Sequence, residues 1–252
     1  MQLATGGSML NFGYWSSKCI DPISAQNNLC TVFGELAELS SAKHAVDVGS
    51  GLSAPSMLWR DSFPNLHLDC VNINFNQLSF SGPQKNIEFI NSTSTNLPFA
   101  NDSVDRVLAL ESAQHFKPLS DFINESKRIL MKNGLFVLAI PLTLGESSFR
   151  KLGLLKFTWS SEHYNLDYLK NILTLNGFSI SSEKLIGSNV YDPLADYYVE
   201  NRTSLKKLIL KNYPSYVENI LFKSIKKMKK ASEEKIIDYV LLKCTLKSNL
   251  SD

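Results

Sequence analysis

The sequence predicts an α/β protein, a mainly parallel sheet with helices on both faces. Three observations carry that prediction. Short apolar or alternating runs recur at 45–48, 66–74, 86–90, 103–110, 134–141, 178–186 and 235–247, and helical patterns lie between most of them. The first run, within "AVDVGSGLSAPSML" (45–58), enters a glycine turn at once. Strands alternating with helices imply parallel neighbours joined by crossovers. The chain has 252 residues, 44% hydrophobic and 20% charged, enough to bury a sizeable core. One domain with an elaboration is expected, not two equal domains.

Several function classes fall away on composition. A formal net charge of +2 is too small to argue for nucleic acid. No apolar run approaches the roughly 20 residues that a bilayer demands. The stretch "MQLATGGSML" has neither the basic nor the apolar region of a signal peptide, so a cytoplasmic location is expected. Cys19, Cys30, Cys70 and Cys244 lack metal-ligand spacing, and three of them sit among apolar neighbours. Reduced, buried thiols and no metal centre are the expectation.

The elements follow in order. Leu29, Val32, Phe33 and Leu36 recur at helical spacing within 23–39, a core-facing stripe. After the strand at 45–48, Pro55 suits the first turn of the next helix. A helix is expected over 120–130, with Ser120 or Asp121 as its N-cap. Another spans 165–176 and stops at Gly177, a left-handed C-cap. Between the last two strands lie about 48 residues of helical pattern (187–234), too long for a loop and therefore an element of its own.

In an open parallel sheet, ligands sit beyond the carboxyl ends of the strands. Four such ends are informative. The first is Asp47-Val48-Gly49-Ser50-Gly51, which continues through Leu52-Ser53-Ala54 with the spacing of a dinucleotide loop. Glycines let a backbone approach a ligand closely, and the following helix N-terminus offers N–H groups. A plain strand-to-helix turn would read the same way. The second end carries Asn72 and Ile73, roughly 20 residues after the glycines, where a side chain grips ribose hydroxyls. Asn both accepts and donates there. The third, "STSTNLPFANDSVDRVLAL" (92–110), is a polar stretch followed by Leu97-Pro98-Phe99 and an Asp-containing strand, which places side chains and N–H groups beside an adenine ring. The fourth, "LESAQHF" (110–116), directs Glu111, Gln114 and His115 at the same crevice.

Taken together, "VDVGSG", "VNIN", "LPFANDSVDRVLALESAQHF" and "ESKRILMKNGLFVLAIP" resemble the class I S-adenosylmethionine-dependent methyltransferases, in family order over roughly 25–145. "MLNFGYW" (9–15) and "DPLADYYVENRTSL" (192–205) resemble the branch that methylates natural products. The resemblance implies a Rossmann-like, mainly parallel seven-stranded sheet with an antiparallel last strand. It implies one domain over 1–252, an N-terminal cofactor lid at 1–22 and a helical acceptor-lid insertion at 187–234. The cofactor is then S-adenosyl-L-methionine and the product S-adenosyl-L-homocysteine. Asp47, Gly49, Ser50, Gly51, Asn72, Ile73, Thr93, Ser94 and Glu111 would hold it, and Tyr14 would reach its carboxylate. A nicotinamide enzyme would need a second βαβαβ half, whereas this sheet closes with two strands flanking an insertion. Three positions depart from the family pattern: Ser53 replaces the third glycine, Asn72 the ribose acid, and Thr93 or Ser94 the adenine-binding Asp.

The expected activity is methyl transfer to a hydroxyl of a small secondary-metabolite acceptor. His115 is the expected base, because an imidazole titrates near pH ~6.5; the competing reading has it packing at a strand-helix corner. Gln114, His115, Trp159, Tyr164, Tyr191 and Tyr197 are expected around the acceptor. Phe12, Tyr14 and Trp15 either face the sulfonium by cation–π attraction or staple onto the following helix. From Lys206 to Lys230 there are eight lysines and one acid, Glu218. That face is either a solvated lid surface or a dock for an acidic carrier protein or anionic ligand. The alternatives are N- or C-methylation of a small, prenyl or lipid acceptor, and a non-catalytic binding protein on the same fold.

Overall fold

The computed structural model of the chain describes residues 9–145 and 148–247, so the first eight residues of the expected N-terminal lid lie outside it. The elements run α1 (Pro22–Leu36), β1 (His44–Val48), α2 (Ala54–Ser62), β2 (His67–Asn72), β3 (Ile87–Asn91), β4 (Val104–Leu110), α3 (Leu119–Ile129), β5 (Leu130–Thr143), α4 (Leu166–Leu175), β6 (Phe178–Leu185), α5 (Gly187–Glu200), α6 (Arg202–Asn212), α7 (Ser215–Glu233) and β7 (Ile237–Leu246). The seven strands form one sheet in the order β3-β2-β1-β4-β5-β7-β6. β1 pairs in parallel with β2 and β4, as do β2 with β3 and β4 with β5. β7 runs the other way. The Leu144 N–H donates to the Ile236 carbonyl, Ile186 to Tyr239 and Lys247 to Gly177, so the end of β5 meets the start of β7 and β6 is antiparallel to it. The expected mainly parallel seven-stranded sheet with an antiparallel last strand is the one present.

By compactness the chain divides into two units. A sheet unit comprises Cys30–Ile140, Asp167–Lys184 and Leu241–Asp252; a helical unit comprises Met1–Leu29, Pro141–Leu166 and Leu185–Val240. In the sheet unit, β1, β2, β4 and β5 are buried nearly throughout, as strands covered on both faces must be. Phe33 and Trp59 stack at 5.7 Å, and Phe122, Phe136 and Phe178 form a chain of aromatic contacts. Cys30, Cys70 and Cys244 are buried free thiols, and burial pushes Cys70 and Cys244 up to about 12. In the helical unit, α5, α6 and α7 fill the long insertion, with Tyr198, Leu205 and Ile209 as a small core. No helix among the described residues is long and apolar enough to cross a membrane.

Two local expectations change. Neither Ser120 nor Asp121 caps α3: the helix starts one residue earlier, with Pro118 at the N-cap, and the Ser120 hydroxyl donates to Asp121 instead. Proline's fixed φ ends the preceding extended segment there without a side-chain cap. β5 also begins earlier than the apolar run, because pairing with β4 jumps from Val104–Leu130 to Arg106–Leu135. The intervening residues bulge out through Asn133, at φ +70°. Gly177 ends α4 in the left-handed region as expected, at φ +88°.

Gly34, inside α1, shows how tightly the sheet unit is packed. A Cβ there would lie 3.1 Å from Nε1 of Trp59, whose N–H donates to the Cys30 carbonyl at 2.8 Å. Helix propensity alone favours Gly34→Ala by about 0.5–1 kcal/mol. Overpacking a fully buried indole costs about 1–3 kcal/mol and should win. Urea unfolding of Gly34→Ala is therefore expected to show a lower midpoint than the parent, and a higher one would show that Trp59 yields.

Candidate active site

The carboxyl end of β1 turns into α2 through alternating left-handed residues: Gly49 (φ +76°), Gly51 (φ +59°) and Ser53 (φ +57°). The third position thus keeps a glycine's conformation while carrying a serine, at a cost of about 1–2 kcal/mol. Ser53 is wholly buried and donates its hydroxyl to Ser50 Oγ at 3.1 Å. Gly49 has a second reason to be glycine. A Cβ would stand 2.5 Å from Cβ of Ser112 and 2.9 Å from the Phe116 ring. Ser112 in turn donates to the Val48 carbonyl at 2.6 Å.

The turn donates less than its sequence suggests. The N–H groups of Gly49 and Ser50 both go to the Val71 carbonyl on β2, at 2.7 and 3.1 Å. Gly51, half-buried, shows no backbone acceptor for its N–H among the described residues.

Asp47 is a correction to the expected cofactor set. It is 3% exposed and accepts from the Ser56 hydroxyl at 2.6 Å, which ties β1 to the first turns of α2. Burial raises its carboxyl from 3.8 to about 6, against the opposing bond from Ser56. A side chain so enclosed supports the loop from beneath.

Asn72 ends β2 and is held from two sides. Its amide donates to the Gly51 carbonyl at 3.1 Å and to Gln77 Oε1 at 2.8 Å. Both amide N–H groups are therefore used within the protein, and Oδ1 is the atom that remains as an acceptor. Asn91, at the end of β3, fixes the neighbouring backbone by donating to the carbonyls of Asn72 and Ile73, both at 2.9 Å. Ile73 projects with 73% of its surface exposed. Thr93 is exposed and Ser94 half-buried, on a segment clamped from below. Glu125 accepts from the Leu97 N–H at 2.7 Å, and Arg128 donates to the carbonyls of Leu97 and Phe99. The Arg128 guanidinium holds the Glu125 carboxyl below its ordinary range.

At the end of β4, Glu111 takes φ +52° while its N–H donates to the Ala139 carbonyl. A non-glycine residue held there costs on the order of 1–3 kcal/mol, strain that clusters at functional sites. A turn of 3-10 helix, Ala113–His115, follows. Gln114 is buried and donates Nε2 to the Glu111 carbonyl at 2.7 Å; the same nitrogen lies 3.5 Å from His115 Nε2. His115 remains exposed, yet the protein packed against one side of its ring lowers its pKa below 6.5 through burial. Glu111, Gln114 and His115 are thus brought together on one turn of the sheet unit.

The aromatic residues belong to the helical unit. Gly13 (φ +87°) presses against Ala25, Tyr14 N–H donates to the Ala25 carbonyl, and Gln26 donates to the carbonyls of Met9 and Asn11. These bonds lay the 9–15 segment along the start of α1, with Tyr14 half-buried. Phe12 meets Tyr191 edge-on at 5.6 Å, Trp15 lies 5.7 Å from Tyr197, and Trp159 lies 6.1 Å from Tyr191. Tyr164 is half-buried, and its carbonyl accepts from Thr143. Tyr191 corrects an expectation. Its side chain has no accessible surface and its hydroxyl donates to the Asp238 carbonyl at 3.2 Å, so it backs Phe12 and Trp159 rather than meeting a ligand. Trp159 differs: its buried Nε1 has no hydrogen-bond partner among the described residues.

Sequence reading missed the supports: Ser112 and Phe116 beneath Gly49, Gln77 behind Asn72, and Asn91 across from it. Asn91 had a legible signal, a polar residue closing an apolar strand at the ligand end.

Two outcomes follow. The folded pKa of Asp47 is raised, so the native state binds the proton more tightly than the unfolded chain does. Its contribution to stability falls as pH rises from about 4 to about 6, on the order of 3 kcal/mol at full ionisation. Asp47→Asn keeps an acceptor for Ser56 and removes the charge. It should raise the melting temperature at pH 7.5 and lose that advantage near pH 4, as thermal scans across this range would read. Asn72→Asp, the change toward the family acid, sets a carboxylate against the Gly51 carbonyl and Gln77 Oε1. We expect it to destabilise the fold by about 1–3 kcal/mol; an unchanged urea midpoint would mean the two amide bonds contribute nothing.

Comparison with known proteins bears on this geometry. Residues 46–138 match the family described as "Methyltransferase domain". The chain is 25% identical over 245 residues to erythromycin 3''-O-methyltransferase of Saccharopolyspora erythraea, covering 90% of this chain and 78% of that protein. Among solved structures it is similar to the [4+2]-cyclase SpnF, with TM-score 0.78 at 16% identity over 97% of this chain and 90% of that one. It is also similar to geranyl diphosphate C-methyltransferase from Streptomyces coelicolor A3(2), solved with Mg2+, geranyl diphosphate and S-adenosyl-L-homocysteine: TM-score 0.75, 12% identity, over 98% and 93% of the two chains. The glycine turn that admits no Cβ, the amide closing β2 and the strained turn closing β4 lie together at the carboxyl ends of the strands, where an open parallel sheet binds its ligand. With this sheet order, a methyltransferase-domain match over 46–138 and these relatives, the chain has the class I S-adenosylmethionine-dependent methyltransferase fold and is similar to methyltransferases named for natural-product acceptors.

Proposed function

We propose that this protein transfers a methyl group to a hydroxyl of a small secondary-metabolite acceptor. The observation that carries the reading is the turn at the end of β4. It presents an exposed His115 whose pKa lies below 6.5, and the imidazole is therefore neutral and able to accept a proton at pH 7. S-adenosylmethionine, when bound, supplies an electrophilic methyl carbon with a neutral thioether as leaving group. His115 takes the acceptor's hydroxyl proton as the oxygen bonds that carbon. Gln114 fixes the turn through the Glu111 carbonyl and so positions His115. Gly49, Ser50, Gly51, Asn72, Ile73, Thr93, Ser94, Glu111 and Tyr14 are the proposed cofactor set, with Asp47 as its support. A likeness to an enzyme named for O-methylation supports hydroxyl over amine or carbon.

The acceptor is assigned to Trp159, Tyr164 and Tyr197 of the helical unit, with the 187–234 helices and residues 9–22 as lids. A buried indole N–H left without an acceptor costs about 1–3 kcal/mol. The orphan Nε1 of Trp159 supports an oxygen-bearing acceptor that would satisfy it. An acidic carrier protein or anionic ligand is proposed for the Lys206–Lys230 face. Lys206 lies near the buried Glu218, Lys229 pairs with Asp196 and Lys230 with Glu234, so Lys207, Lys211, Lys223, Lys226 and Lys227 are the lysines proposed to meet it.

The test uses methyl-labelled S-adenosylmethionine and a panel of hydroxyl, amine and activated-carbon acceptors. Labelled O-methyl ether is the expected product; N- or C-methylation alone would overturn the hydroxyl assignment. His115→Ala should lower turnover by roughly 10²–10⁴-fold and leave cofactor affinity by calorimetry unchanged. With the parent enzyme, kcat should fall on an acid limb below pH 6.5, and that limb should vanish in His115→Ala. Undiminished turnover in the variant would sink the base assignment.

A further inference from the structure

From the opposite, amino-terminal end of β1 and β2, we infer a zinc site that the methyl-transfer chemistry does not use. His44 and His67 are paired residues in the parallel β1–β2 register, so their side chains leave the same face. Asp69 is two residues beyond His67 and shares that face by the strand's period of two. The ligand atoms of all three lie within 4.8 Å of one another. His44 Nε2 is 2.6 Å from Asp69 Oδ2, and His67 Nε2 is 3.3 Å from Asp69 Oδ1. The rings stand 5.1 Å apart.

Two imidazole nitrogens and one carboxylate form a donor set that suits zinc and its transition-metal neighbours better than magnesium or calcium. Tetrahedral zinc holds such donors about 3.4 Å apart, close to the His67–Asp69 separation; His44 needs only to exchange its hydrogen bond for the metal. The surroundings are those of a ligand shell. Nε2 of His44 faces Asp69, which leaves Nδ1 pointing away from the cluster. Asp105 fixes the start of β1 by accepting from the N–H groups of Lys43 and His44, both at 2.9 Å. Phe99 stands edge-on to the His44 ring at 6.3 Å. Asp69 is 4% exposed, with one imidazole nitrogen at each of its two oxygens. His67, with 43% of its side chain exposed, provides the entry path, and water completes the fourth position.

The test takes the full chain, dialysed against a chelator, and titrates it with zinc sulfate by calorimetry and with Co2+ by visible absorption. We expect one equivalent to bind with micromolar affinity, the strong visible bands of tetrahedral Co2+, and a melting temperature raised by zinc but not by magnesium. His67→Ala, an exposed position that leaves the core intact, should weaken binding at least tenfold and abolish the Co2+ bands. Asp69→Asn should do the same where it folds. Absence of saturable binding, or binding unchanged in His67→Ala, would overturn the site.

Discussion

Everything at the ligand end of the sheet depends on there being no side chain at Gly49. Ser112 and Phe116 occupy the space a Cβ would take, and Ser112 reaches past it to the Val48 carbonyl. The same glycine's N–H is held by Val71. Three strand ends, β1, β2 and β4, are thereby fastened at one residue. The turn that faces the cofactor and the turn that carries His115 are consequently one rigid object. Positioning reactants is most of what a methyl transfer asks of its protein, and this contact supplies it on the sheet side.

Around that point, several polar residues that look like ligand contacts turn out to be braces. Asp47 holds Ser56, Gln114 holds the Glu111 carbonyl, and the Asn72 amide holds Gly51 and Gln77. The common reason is that buried polar atoms in a tightly packed junction must be satisfied, and protein partners are nearer than any ligand. At the ligand end of the sheet those braces present one amide oxygen, one loop N–H, an exposed isoleucine and a strained turn.

This distinction separates what the sequence discloses from what it conceals. The strands, the helices between them and the helical insertion were legible, because periodicity and glycine placement are local signals; the antiparallel finish was implied by the family resemblance, and the order of the strands in the sheet was not legible. The clustering of Glu111, Gln114 and His115 was legible for the same reason, since they share one short turn. Which face of Asp47 is buried, or that Tyr191 is sealed against Asp238, depends on partners 9 and 47 residues away, and no spacing rule reaches them. The His44–His67–Asp69 group was hidden in the same way. Its residues meet only because β1 and β2 align in a register that the turn chemistry between them does not specify.

The departures from the family pattern then acquire a shared logic. Replacing an acid at position 72 by Asn removes a charge, yet the Asn amide joins Gly51 to Gln77, so the loop is ordered by the very group that otherwise only binds ribose. Ser53 keeps the left-handed backbone of the glycine it replaces and adds a hydroxyl bond to Ser50. Both changes shift interaction energy from the cofactor to the loop. A loop braced in advance loses less conformational freedom when it binds, and a smaller entropic cost offsets a missing charged hydrogen bond. By this argument the cofactor site is weakened in its contacts and strengthened in its preorganisation, which is compatible with turnover and needs no restored acid.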